Sequence, residues 1–143
     1  MSNNLAVWSF VNILVLTFFT IWTYSITKLL IEKNKYDSSL KFNPFKIQLI
    51  ITNIYIVAFL LYLIFTNGNI EEPKWMLLII IMGHFFLSWN IFYFMRFIAK
   101  SISTVEFKRE CHFSDYLGNM VLLVFFPIGI WWLHPKIQTL IKA

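Results

Sequence analysis

Ile47–Ile70 reads IQLIITNIYIVAFLLYLIFTNGNI, 24 residues without one charged side chain. A helix or strand of a soluble domain keeps a wet face, so its sequence interleaves polar and apolar residues. This stretch does not. As a helix it is long enough to cross about 30 Å of hydrocarbon, which takes about 20 residues. Working outward, three more uncharged stretches flank it: Met1–Thr27, Trp75–Met95 and Tyr116–Pro135. All 12 Lys and Arg and all 7 Asp and Glu of the 143-residue chain lie between or beyond these four. Such segregation excludes a soluble globular domain. The expected fold is all-α, an integral membrane four-helix bundle forming a single transmembrane domain over 1–143. Its spans are expected at about 5–28, 46–66, 74–97 and 115–133.

Other classes fall away quickly. The first span lacks a basic lead and a small-x-small cleavage site, and it is too long for a signal peptide, so it is expected to stay in the membrane. Runs such as LLIIIM at 77–82 do not alternate as barrel strands do. One cysteine, Cys111, permits no internal disulfide and no thiol pair. Heavy use of Ile, Phe, Lys and Asn suggests an AT-rich genome and a bacterial inner membrane.

Helix starts are marked by Ser2-Asn3-Asn4, Asn43-Pro44, Glu71-Glu72-Pro73 and Ser114-Asp115, and Asn67-Gly68-Asn69 closes the second span. Orientation follows from Lys and Arg. Loop 1 and its flanks hold Lys28, Lys33, Lys35, Lys41 and Lys46, and loop 3 holds Arg96, Lys100, Lys108 and Arg109. Lys74, Lys136 and Lys142 are left for the other side. Loops 1 and 3 are therefore expected in the cytoplasm and both termini outside. The fourth segment is ambiguous. Pro127 and Gly129 interrupt it, and it is either a kinked full span or a re-entrant hairpin turning at Pro127–Gly129. The hairpin would return Lys136 and Lys142 to the cytoplasm. Beyond it, Ile137, Leu140 and Ile141 share one face, as in a short C-terminal interfacial helix.

No Asp, Glu, Lys or Arg lies inside a span. Proton-coupled transport normally needs such a carboxylate, and the chain also lacks an Asp-rich metal motif. No nucleophile–base pair, carboxylate pair or metal constellation is legible, so an enzyme is not expected, nor a cofactor. The candidate polar intramembrane residues are Asn12, Thr20, Thr23 and Thr27 in the first span, Asn53 in the second, and His84, Ser88 and Asn90 in the third. His84 lies at mid-span. It is either a proton-handling group or a neutral imidazole bonded to a neighbouring helix, and the second is the commoner use. The threonine row and Asn53 likewise line a pore or bond helix to helix, the latter again being commoner. Cys111-His112 is an ordinary loop pair unless lipidation or thiol reactivity singles it out.

Residues 112–138 add one resemblance. Phe126-Pro127-Ile128-Gly129-Ile130-Trp131, followed more loosely by His134-Pro135-Lys136-Ile137-Gln138, resembles the end of small bacterial four-span membrane proteins. Those carry FPIGIW followed by a pattern like QPRIN. The resemblance implies membership of that group and no activity.

The leading expectation is a non-catalytic integral membrane subunit acting through helix contacts in a homo- or hetero-oligomer. The alternative is an oligomeric channel or pore-forming effector lined by polar faces of the first and third spans. Expected partners are membrane lipids, further copies or other membrane proteins, and not nucleic acid.

Overall fold

The computed structural model describes the backbone of residues 2–66 and 74–142; side chains 2–6, 9, 10, 74, 76, 126 and 127 lie outside the description. The Ser2-Asn3-Asn4 side chains, the Asn67-Gly68-Asn69 turn, Glu71-Glu72-Pro73 and the Pro127 ring thus fall outside it. The chain is all-helical: α1 Ser2–Lys33, α2 Phe42–Phe65, α3 Lys74–Phe107, α4 Phe113–Val124 and α5 Phe126–Lys142. Among the described residues, three stretches are long and apolar enough to cross a membrane: Val11–Lys33, Phe42–Phe65 and Leu77–Phe107.

The span expected at 115–133 is divided. α4 has 12 residues, about 18 Å at 1.5 Å per residue, and does not reach across about 30 Å. The chain breaks at Phe125, whose φ of −90° and ψ of 44° leave the helical region. Phe125 O then accepts from both Ile128 N at 2.9 Å and Gly129 N at 2.8 Å, which starts α5 in a new direction. Gly129 is essential to this turn. A Cβ there would run into the Leu122 carbonyl, so only a bare Cα lets the start of α5 rest on the end of α4. In one continuous helix Asn119 and Lys136 would stand about 25 Å apart. Instead Lys136 Nζ donates to Asn119 Oδ1 at 3.1 Å, so α5 folds back along α4.

The two other helix starts differ by a residue or two from those expected. Lys41, not Asn43, precedes α2, and Pro44 sits in the first turn where a missing N–H costs nothing. His112 precedes α4, and Asp115 Oδ2 accepts from its backbone N–H at 3.0 Å as half of a capping box. At the other end of that loop, Lys108 adopts φ 53°, a left-handed residue that closes α3. The tail is not a separate interfacial helix. Ile137 is buried in the core, and Leu140 and Ile141 pack against it as the last turns of α5.

Burial is one-sided along the helices. The core joins Ile26, Leu30, Phe45, Leu49, Phe94 and Ile98 to Ile102, Val105, Tyr116, Met120, Leu133 and Ile137. Phe45 anchors it, stacked on Phe97 at 4.8 Å and edge-on to Phe94 at 5.4 Å. All of these residues belong to the halves of α1, α2 and α3 nearest loops 1 and 3, or to α4 and α5. At about 51 Å, α3 is longer than the hydrocarbon is thick, and the buried run Ser101–Val105 lies in its excess length. Toward their other ends α1 and α2 are exposed or half-buried. They leave an apolar groove of about 690 Å³ between Val15, Leu16, Phe19, Trp22, Ile56 and Leu60, with Ile130 of α5 at its edge.

Candidate functional site

Most of the polar side chains inside the spans are paired between or within helices of one protomer. Thr20 Oγ1 of α1 donates to Asn53 Oδ1 of α2 at 2.9 Å, and Asn53 Nδ2 donates to Leu49 O at 2.8 Å. One turn nearer loop 1, Gln48 Nε2 of α2 donates to Asn90 Oδ1 of α3, and Asn90 Nδ2 donates to Phe86 O at 2.6 Å. Asn90 is wholly enclosed. These amide bonds tie α1, α2 and α3 together at depths where an unpaired polar group would be left without water. Thr23 and Thr27 are wholly enclosed too, and their hydroxyls have no hydrogen-bond partner. Gly83 serves the same contact surface: with no Cβ it admits the Tyr55 ring of α2 against α3.

His84 and Ser88 stand apart from this set. Both are exposed on α3. His84 Nδ1 lies 2.7 Å from Ile80 O, one turn back on the same helix. A carbonyl only accepts, so Nδ1 donates this bond, and Nε2 has no hydrogen-bond partner among the described residues. The ring meets Phe59 of α2 edge-on at 4.9 Å. Ser88 Oγ donates to His84 O at 2.9 Å. The imidazole therefore bonds its own helix and touches a neighbour by ring contact, rather than bonding the neighbour as expected. Around it Ile81, Phe85 and Trp89 are exposed. Asn12 is also exposed, bonded to Trp8 O at 2.8 Å within α1.

A second polar set, not foreseen from the sequence, lies on the side of loops 1 and 3. Lys100 Nζ of α3 reaches Asp37 Oδ2 of loop 1 at 2.6 Å and Ser39 Oγ at 3.1 Å. Asn34 folds the loop for this, accepting from Tyr36 N and Asp37 N at 3.1 Å each and donating to Asp37 O at 2.7 Å. Ser39 N donates to Asp37 Oδ1 at 2.8 Å. Burial pushes the Asp37 carboxyl up, but the hydrogen bonds from Lys100 and Ser39 outweigh it and hold the group below its ordinary value of 3.8. On α4, Asn119 Nδ2 donates to Ser103 Oγ at 2.8 Å, and Lys136 Nζ pairs with Glu106 Oε2 at 2.8 Å. Arg96 Nε donates to the Tyr116 hydroxyl at 3.1 Å. Cys111 is buried beneath loop 3, and burial raises its thiol above the ordinary 9.0.

Among the described residues no three His, Cys, Asp or Glu side chains gather as a metal site. No family model, curated protein or solved structure matches the chain.

Proposed function

We propose that the protein is a non-catalytic membrane subunit that assembles with other membrane helices through the His84 face of α3. The observation that carries this is the exposed His84–Ser88 pair on α3. An unpaired imidazole nitrogen directed at lipid is costly, whereas a hydrogen-bonding group on a second copy or a partner protein satisfies it. The apolar side chains around it, Ile81, Phe85 and Trp89, supply the packing surface.

In this reading α1, α2 and α3 cross a bacterial inner membrane with loops 1 and 3 in the cytoplasm and the N-terminus outside. α4 and α5 form a re-entrant hairpin that enters from the cytoplasmic face and returns to it, in place of a kinked fourth span. Lys136 and Lys142 then join the cytoplasmic basic residues, and only Lys74 is left outside. A conduit lined by the first and third spans has less support, because Thr23, Thr27 and Asn90 are enclosed within one protomer.

Site-specific crosslinking in native membranes tests the interface. With Cys111 replaced by Ser, a cysteine at Phe85 or Ser88 should crosslink to a second polypeptide. One at Ile50, on the opposite side of the bundle, should not. Equal crosslinking at all three positions would indicate random collision and refute the assignment.

A further inference from the structure

A second groove runs between the loop-1 halves of α1 and α2. It has a volume of about 340 Å³ and is walled by Ile21 and Tyr24 of α1 and by Lys46, Leu49, Ile50 and Ile54 of α2. The α2 positions follow the spacing of one helical stripe, so the groove extends along the helix for about 12 Å from Lys46 to Ile54. Its floor is closed by the Thr20–Asn53 hydrogen bond, which leaves the amide satisfied and the walls apolar. Ile21, Ile50 and Ile54 are all exposed along it.

Lys46 marks one end. It is exposed, and among the described residues its ammonium has neither an ion pair nor a hydrogen bond. It stands in the second turn of α2, near the positive end of the helix dipole, where a cation is unfavourable without an anion beside it. Among the described residues no carboxylate pairs with it. Glu32 pairs with Lys28, Asp37 with Lys100, Glu106 with Lys136 and Asp115 with Arg109. A soluble anion leaves the apolar length of the groove empty.

We infer that this groove binds one anionic phospholipid, its phosphate at Lys46 and one acyl chain laid between α1 and α2 toward Ile54. The charge and the apolar length match the two ends of such a lipid, and the cytoplasmic leaflet is where anionic lipids gather. The inference shares with the proposed function only the membrane placement of α1 and α2, and involves neither His84 nor the α3 face.

The test is native mass spectrometry of the protein released from nanodiscs made of equal parts phosphatidylglycerol and phosphatidylcholine. One phosphatidylglycerol should be retained per protomer in preference to phosphatidylcholine. Lys46→Gln should cut that preference at least fivefold, and Lys46→Arg should keep it. Ile50→Trp, an exposed position whose larger ring fills the groove, should remove the retained lipid of either kind. Lys35→Gln, an exposed loop lysine away from the groove, should change little. An equal loss in Lys35→Gln and Lys46→Gln would reduce the effect to diffuse surface charge and overturn the inference. So would retention of lipid in Ile50→Trp. A His84→Leu protein that changes oligomeric state while keeping its lipid separates failure of the proposed function from failure of the lipid site.

Discussion

Lys136 Nζ of α5 lies 2.8 Å from Glu106 Oε2 near the end of α3 and 3.1 Å from Asn119 Oδ1 of α4. The pair spans three helices and ties the C-terminal helix back to the end from which α4 departs. The ion pair itself is modest. Both side chains are about one-third exposed, so it contributes about 0.5–1 kcal/mol. Its larger meaning is geometric, since it sets which end of the bundle the tail occupies.

That geometry predicts a labelling pattern. In a Cys111→Ser background, cysteines at Ser39 and Gln138 should react from the same side of the membrane, and one at Asn69 from the other. An impermeant maleimide applied to intact cells should label Asn69→Cys and spare Ser39→Cys and Gln138→Cys. Labelling of Gln138→Cys together with Asn69→Cys would restore a full fourth span.

Two glycines two turns and more apart should respond in opposite directions. Gly129→Ala drives a Cβ into the Leu122 carbonyl and should cost about 1–3 kcal/mol, read as a lower melting temperature in detergent. Gly118 has nothing within 4 Å of a built Cβ, so Gly118→Ala should be neutral or gain up to about 1 kcal/mol in helix propensity. Equal effects would mean that the α4–α5 turn does not bring these backbones together.

The Asp37–Lys100 pair predicts a pH dependence. The native Asp37 carboxyl is held below 3.8, so the unfolded chain takes up the proton more readily than the folded one. The stabilisation is complete above about pH 4, the ordinary aspartate value, and is lost as pH falls through the lowered native value. Asp37→Asn should lower stability at pH 7 by about 1.5–3 kcal/mol, the range for a hydrogen bond to a charged group. The gap between wild type and variant should close in acid. A constant gap from pH 7 to pH 3 would remove Asp37 as the titrating group.

Cys111 gives a fourth expectation. The thiol is buried and shifted toward its protonated form, which disfavours both lipidation and reaction. Native protein at pH 8 should react with a bulky maleimide much more slowly than a Cys111→Ser protein carrying cysteine at Ser39, since burial both shields the thiol and lowers its thiolate fraction. Rapid native labelling would show loop 3 to be open.

The helices were legible because charge and apolar residues are so cleanly segregated: residues 47–65 of the first run lie in α2, and Trp75–Met95 lies within α3. The lower end of α3 was not. After Arg96 the sequence turns polar, and a hydropathy argument stops there, yet Ser101, Ser103 and Thr104 are enclosed by α4 and loop 1. Protein contacts rather than lipid make that part a helix. The α4 helix ends at Phe125, two residues before Pro127, and what folds α5 back is Lys136 meeting Glu106, a contact 30 positions apart that Pro127 and Gly129 cannot show. Thr20 and Asn53 were recognisable as interhelical glue, and they bond each other. His84 looked equally like glue. That its ring bonds its own helix and only touches Phe59 depends on the rotation of α3, which its apolar run does not encode. Asp37–Lys100 left no local signal, since a loop aspartate and a helix lysine 63 positions apart are ordinary in isolation.

Native mass spectrometry of protein extracted in mild detergent from the membranes of the producing organism tests the subunit assignment most directly. Wild type should appear as an oligomer or with a bound membrane protein. His84→Gln should retain the assembly, because an amide still hydrogen-bonds. His84→Leu should weaken it by about 0.6–1.7 kcal/mol, roughly threefold to twentyfold in the association constant. A monodisperse 17.1 kDa monomer with no bound protein, in wild type and both variants alike, would contradict the account.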